Sequence, residues 1–218
     1  MGRPRPRVVP VVGASIAPDV WYAAYGSNTD AARFSLYLRG CDPAVTDEPA
    51  SRPGTIDLPL RFAEEARSSM WGGGGVAFVD PRPGDPSPTL VRLWHLPRRV
   101  LAQVGAQENG LPLSAAALDL DEIAATGSSV AFPGRWYDTW IGCGKIAGIP
   151  VVTLTSSVTR AHNPPGARYA GVVARGLRAT HGLGHEEVIE YLRARDRADS
   201  SVVSAWRREV QGYGAANA

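Results

Sequence analysis

Apolar residues along the chain follow two rhythms. Short runs with strand character lie at 20–24, 59–63, 76–79, 89–95, 136–141 and 149–155, and stripes of helical spacing lie at 29–38, 98–107, 167–180 and 185–194. The first strand, Val20-Trp21-Tyr22-Ala23-Ala24, passes through Tyr25-Gly26-Ser27-Asn28 into the first helix, with Phe34, Tyr37 and Leu38 on its buried face. Pro97 sits where the second helix begins, which suits its fixed φ and missing N–H. Cys41 to Leu58, rich in Pro, Asp and Ser, reads as a long loop, and Pro81 to Pro88 as a turn-rich connection. Five or six strands with three or four short helices predict an α+β fold with a mixed or closed sheet.

Composition narrows the partners. The 218 residues suit one domain with tails: an arm at 1–18, a domain at 19–195 and a C-terminal helix or tail at 196–218, small and polar from Gly212 onward. A net charge of +2 gives no reason to expect a nucleic-acid partner. No run of about 18 apolar residues predicts a membrane span. Cys41 and Cys143, the 2 cysteines, are far apart and lack metal-ligand spacing. A reducing cytoplasm is therefore the expected location, and Met1 to Pro10 lacks the apolar segment of a signal peptide. Oligomeric state is not legible.

The Tyr25–Asn28 turn is the first candidate for chemistry. At the mouth of a helix, its N–H groups would suit a small carboxylate, though an ordinary connection with Ser27 or Asn28 as N-cap is the plain alternative. No Walker lysine and no G-x-G-x-x-G accompany it. The Gly72–Gly75 run, also without a lysine, suggests a bulge or a close backbone approach. Tyr25 and Tyr169 can be core aromatics or ligand contacts, and Arg33 reads as a structural partner beneath the turn. His181 and His185 are four apart but do not form H-E-x-x-H, so no metal is expected. Glu64 and Glu65 are spare carboxylates. A Ser27 nucleophile would need one of the 4 histidines beside it.

Four segments in order carry a wider likeness. They are Tyr25-Gly26-Ser27-Asn28 with Arg33; Trp71-Gly72-Gly73 before the strand Val76–Val79; Leu93-Trp94-His95-Leu96 before the helix ending Gln107-Glu108-Asn109-Gly110; and Pro164-Pro165-Gly166-Ala167-Arg168-Tyr169 before the helix with Gly176-Leu177. In this set the chain resembles the γ-glutamylcyclotransferase-like superfamily. The resemblance implies a small mixed β-barrel with flanking helices. It implies an enzyme of the transferase or lyase type, which closes a γ-glutamyl group to 5-oxoproline and releases an amine or amino acid, without a cofactor. It implies Glu108 as acid/base, and Tyr25, Gly26, Ser27, Asn28, Trp71, Gly72 and Tyr169 around the substrate. The departures are Thr29 where relatives often have Leu, a longer loop at 41–57, and Ser156, Ser157 and Val158 where an aromatic is usual. A non-catalytic module that binds a γ-glutamyl or amino-acid metabolite is the alternative.

The chemistry explains why such residues are needed. The α-amino group of the glutamyl unit attacks its own γ-carbonyl, and oriented intramolecular pairs reach effective molarities of about 10⁵–10⁸ M. An ammonium cannot attack, so a base must take its proton, and a carboxylate does so best with its pKa raised by burial. Glu108 follows the apolar face of Val100, Leu101 and Val104, which would set it at the rim of a pocket.

Overall fold

The computed structural model describes residues 19–66, 68–82, 88–196 and 198–215, with side chains as far as 212. The N-terminal arm and the middle of the 81–88 connection lie outside that range. The fold is α+β. In chain order it contains β1 (Asp19–Ala24), α1 (Ala31–Arg39), β2 (Ser51–Ile56), β3 (Leu60–Ala63), β4 (Val76–Val79), β5 (Thr89–Pro97) and α2 (Arg98–Glu108). There follow α3 (Leu120–Thr126), β6 (Ser128–Val130), β7 (Thr139–Ile146), β8 (Ile149–Thr155), α4 (Ala167–His181), α5 (His185–Asp196) and α6 (Ser200–Ala215).

Six strands form one mixed sheet in the order β2-β5-β1-β8-β7-β6, with β1 antiparallel to β5 and parallel to β8. β1 lies inside the sheet and is covered on both faces, which explains its unbroken apolar run. Its period of two divides the residues between two cores. Ala23 and Tyr25 face the side packed by the β3–β4 hairpin, α4, α5 and α6. Val20, Tyr22 and Ala24 face the side packed by α1, α2 and α3.

The sheet is open, not the closed barrel that the resemblance implied. β2 and β6 are its edges, and β3–β4 forms a separate two-stranded sheet. A side chain joins the hairpin to the end of β8 where a backbone ladder would have closed the ring. Thr155 Oγ1 accepts from Val79 N (3.2 Å) and donates to Val79 O (2.6 Å).

Several elements differ from the sequence expectation. The supposed loop 41–58 contains β2, which carries Pro53. An edge strand tolerates proline because one side of it has no ladder to complete. β7 begins at Thr139, and Trp136 to Asp138 precede it in a turn. α3, capped by the Asp119 side chain, and β6 had no forecast. The small polar tail expected from Gly212 is the last turn of α6 as far as Ala215. α6 belongs to the core: Trp206 is fully buried and donates from Nε1 to Pro165 O (2.9 Å).

Candidate active site

The turn after β1 is a single 3-10 turn over Ser27–Thr29, closed by Thr29 N to Gly26 O (3.0 Å) and Asp30 N to Ser27 O (3.2 Å). α1 starts two residues later than the apolar pattern suggested. Asp30 caps it, with Oδ1 accepting from Arg33 N (2.8 Å). The N–H groups at the mouth of α1 therefore face the protein's own carboxylate, not an open anion site. α4 clamps the turn from below. A Cβ on Gly176 would lie 2.4 Å from the carbonyl carbon of Thr29, and one on Gly26 would lie 2.8 Å from the Tyr169 hydroxyl. Bare glycines at both points let the turn sit directly on the helix.

This seating fixes Asn28, which is 4% exposed. Its carbonyl accepts from Trp94 Nε1 (2.9 Å), and its Nδ2 donates to Glu108 Oε1 (2.6 Å) and Tyr22 OH (3.3 Å). Its Oδ1 is buried with no partner among the described residues. A buried acceptor left unpaired is costly, so its presence at a cavity wall suits a donor on a ligand.

Glu108 is the last residue of α2, a helix buried along Val100, Leu101 and Val104. Gly105 lets Trp140 and Phe132 pack against the helix, since a Cβ there would lie 2.6 Å from Trp140 Cζ2. The end of α2 meets α1 where Gln107 Nε2 donates to Tyr37 O (3.1 Å). Tyr37 OH then donates to Glu108 Oε2 (2.9 Å) and accepts from Arg33 Nη2 (2.8 Å). Burial pushes the Glu108 carboxyl above the usual carboxylate range, against the pull of the Asn28 and Tyr37 hydrogen bonds and the Arg33 charge. A carboxyl in that state can take a proton from an ammonium and give it to a leaving amine. Asn109, next in the chain, holds the loop opposite by donating to Tyr137 O (2.8 Å).

Tyr25, Gly26, Ser27, Asn28, Glu108 and Tyr169 all line one small polar cavity of about 30 Å³, together with Tyr22, Ala77, Tyr137 and Leu154. The tyrosines are neutral posts. Tyr25 OH donates to Leu154 O (2.7 Å), Tyr137 OH donates to Ala77 O (3.0 Å), and Tyr169 OH accepts from Ala77 N (3.1 Å). Burial raises their pKa values, that of Tyr169 to about 12. Ser27 also turns its backbone N–H and hydroxyl toward the Tyr169 oxygen. Outside the cavity lies a vestibule of about 330 Å³ that shares Ser27, Glu108, Tyr137 and Tyr169 with it.

The vestibule contains Trp71, but Gly72 lines neither space. At φ 71° Gly72 ends the 3-10 turn Ser69–Trp71. The glycine run behind it is a close backbone approach: Gly75 N donates to Pro164 O (2.8 Å), and a Cβ on Gly74 would lie 2.3 Å from Gly166 N. Glu64 pairs with Arg160 (3.4 Å) and Glu65 accepts from Gly74 N (2.8 Å), both away from the cavity. No histidine lines the cavity with Ser27. His162 meets Asp196 (2.8 Å) and His181 meets Val91 O (3.0 Å). Among the described residues, no group of three His, Cys, Asp or Glu side chains is placed to hold a metal ion. No described helix is long and apolar enough to cross a membrane.

Sequence reasoning missed Tyr22, Tyr37 and Tyr137. The first two lie within apolar patterns that mark them as core, and Tyr37 is identifiable only through its long-range partner. Tyr137 follows a stretch with no periodicity at all.

No family model matches the chain. Over 201 residues it is 30% identical to histone deacetylase 5 of Arabidopsis thaliana, an alignment covering 80% of this chain and 30% of that protein. The chain thus spans about 30% of the length of the curated relative it matches. Among solved structures it is similar to YkqA from Bacillus subtilis, with a TM-score of 0.45 and 17% identity, covering 88% of this chain and 54% of that one. Likeness at that level leaves the site to be argued from this chain's own geometry.

Proposed function

We propose that this protein is a γ-glutamylcyclotransferase-like enzyme that closes a γ-glutamyl group to 5-oxoproline and releases an amine or amino acid. The observation that carries the reading is the Glu108 carboxyl, raised in pKa by burial and held by Asn28 and Tyr37 where a small polar cavity meets a wider vestibule. The glutamyl head would enter the cavity, with its α-ammonium against Glu108 and the unpaired Asn28 Oδ1. Glu108 takes a proton from that ammonium. The freed nitrogen attacks the γ-carbonyl carbon, the bond from that carbon to the departing nitrogen breaks, and Glu108 returns the proton to the departing nitrogen. Ring closure within one molecule leaves the protein mainly to orient and to move a proton.

The test is mass-spectrometric detection of 5-oxoproline from a pool of γ-glutamyl amino acids and γ-glutamyl amines, with Glu108→Gln protein alongside. Release by the wild type alone is expected. Equal release by the variant would remove Glu108 from the mechanism. A second reading is a non-catalytic module that binds such a metabolite. It draws on the match to a 30% stretch of a longer protein, as expected of a module joined to other domains. Saturable binding of the same pool without product would favour it.

A further inference from the structure

Resting on the cyclotransferase reading, we propose that the vestibule selects donors whose departing amine bears a carboxylate, as an amino acid or short peptide does. Neutral and cationic amines would be disfavoured. Arg33 and Arg135 are the receiving groups. Glu108 belongs to both spaces, so the bond to be broken lies at their junction and the departing half points into the vestibule. A volume of about 330 Å³ falls within the range of about 300–1,000 Å³ of small-molecule sites.

The charge of that space has one sign. Arg33 and Arg135 line it, and Glu108 is the one carboxylate among its described lining residues. Glu108 is raised in pKa and taken up by the reaction itself. Neither arginine forms an ion pair with a carboxylate among the described residues, whereas Arg61, Arg92, Arg160 and Arg175 each do. Arg33 is held in place for the task. Its guanidinium lies 4.4 Å from the Tyr37 ring centroid and 5.7 Å from that of Trp71, and its Nη2 is bound to Tyr37 OH. Its Nε is buried and has no partner among the described residues. An oriented donor with an unused N–H suits a carboxylate. Trp71 and Trp136, which also line the space, give the rest of the departing group an apolar wall.

The test compares three donors: γ-glutamyl-phenylalanine, its carboxamide, and a γ-glutamyl amine with an ammonium tail. The wild type should prefer the carboxylate to the carboxamide by at least about fivefold in kcat/KM, as for a charge-assisted contact at a partly open site. The ammonium donor should be the poorest. Arg135→Ala should bring the carboxylate-to-carboxamide ratio toward one, and Arg135→Glu should favour the ammonium donor. Equal or better use of the carboxamide or ammonium donor by the wild type would overturn the inference. If none of the three is turned over, the cyclotransferase reading fails on its own. Calorimetric binding to Glu108→Gln protein then decides the selectivity: binding in the order carboxylate, carboxamide, ammonium sustains it, and equal or absent binding overturns it.

Discussion

Gly176→Ala is a single methyl placed where the fold presents the site. The added Cβ would lie 2.3 Å from Thr29 Oγ1, 2.4 Å from the Thr29 carbonyl carbon and 2.5 Å from Asp30 N. The hydroxyl could rotate away, but the two backbone atoms move only if the 3-10 turn or α4 moves. Replacing Gly by Ala inside a helix ordinarily gains about 0.5–1 kcal/mol. Overpacking a filled site costs about 1–3 kcal/mol, and contact with backbone belongs at the upper end. The net expectation is a loss of about 1–2 kcal/mol. Gly212→Ala in α6 isolates the helix term, because nothing lies within 4 Å of a Cβ there. It should stabilise by up to about 1 kcal/mol. Urea denaturation reads both as shifts in midpoint at constant slope. The turn displaced by Gly176→Ala carries Asn28, so turnover should fall further than the small folded-fraction loss explains. A Gly176→Ala protein at least as stable as the wild type, with Gly212→Ala behaving as stated, would refute the clamp.

Other consequences are equally specific. The folded protein holds the Glu108 pKa above its unfolded value, so the stability tied to that carboxyl is complete below the unfolded pKa of about 4.3 and is lost as pH rises through the folded value. Glu108→Gln cannot ionise, and its advantage in melting temperature over the wild type should therefore grow from pH 4 to pH 8; a difference independent of pH would contradict the burial argument. Asp30→Ala removes both the cap of α1 and the 2.6 Å bond from Arg175 Nε, a loss of about 2–4 kcal/mol, whereas Asp30→Asn keeps a capping oxygen and should lose less by the same denaturation assay. Trp206→Ala should cost about 3–5 kcal/mol, because α6 is part of the core; a loss under 1 kcal/mol would mean that α6 is dispensable.

Sequence pattern was enough for the elements whose periodicity had one interpretation. β4 occupies the predicted Val76–Val79, and α4 extends the predicted stripe by one residue to His181, before Gly182 at φ 70°. β2 was hidden because Pro53 argues against a strand unless the strand is known to be an edge, and sheet order is a tertiary fact. Closure of the sheet was misjudged for a related reason: the Thr155 side chain, not a ladder, joins hairpin to sheet. At the site, local pattern singled out the turn and Glu108 separately. Their meeting at 2.6 Å across 80 residues depends on α2 packing beside α1, which no window of sequence contains. Tyr37 showed only its apolar periodicity, and its hydroxyl acquires meaning from that same packing.

The most direct test of the central claim is to measure, on one γ-glutamyl donor, the rates at which amine, 5-oxoproline and free glutamate accumulate. The account predicts amine and 5-oxoproline in equal amounts, no glutamate, and none of the three from Glu108→Gln protein that still binds the donor. Amine matched by glutamate would mean that water, not the substrate's own nitrogen, attacks the γ-carbonyl, and would contradict the cyclisation assigned to this site.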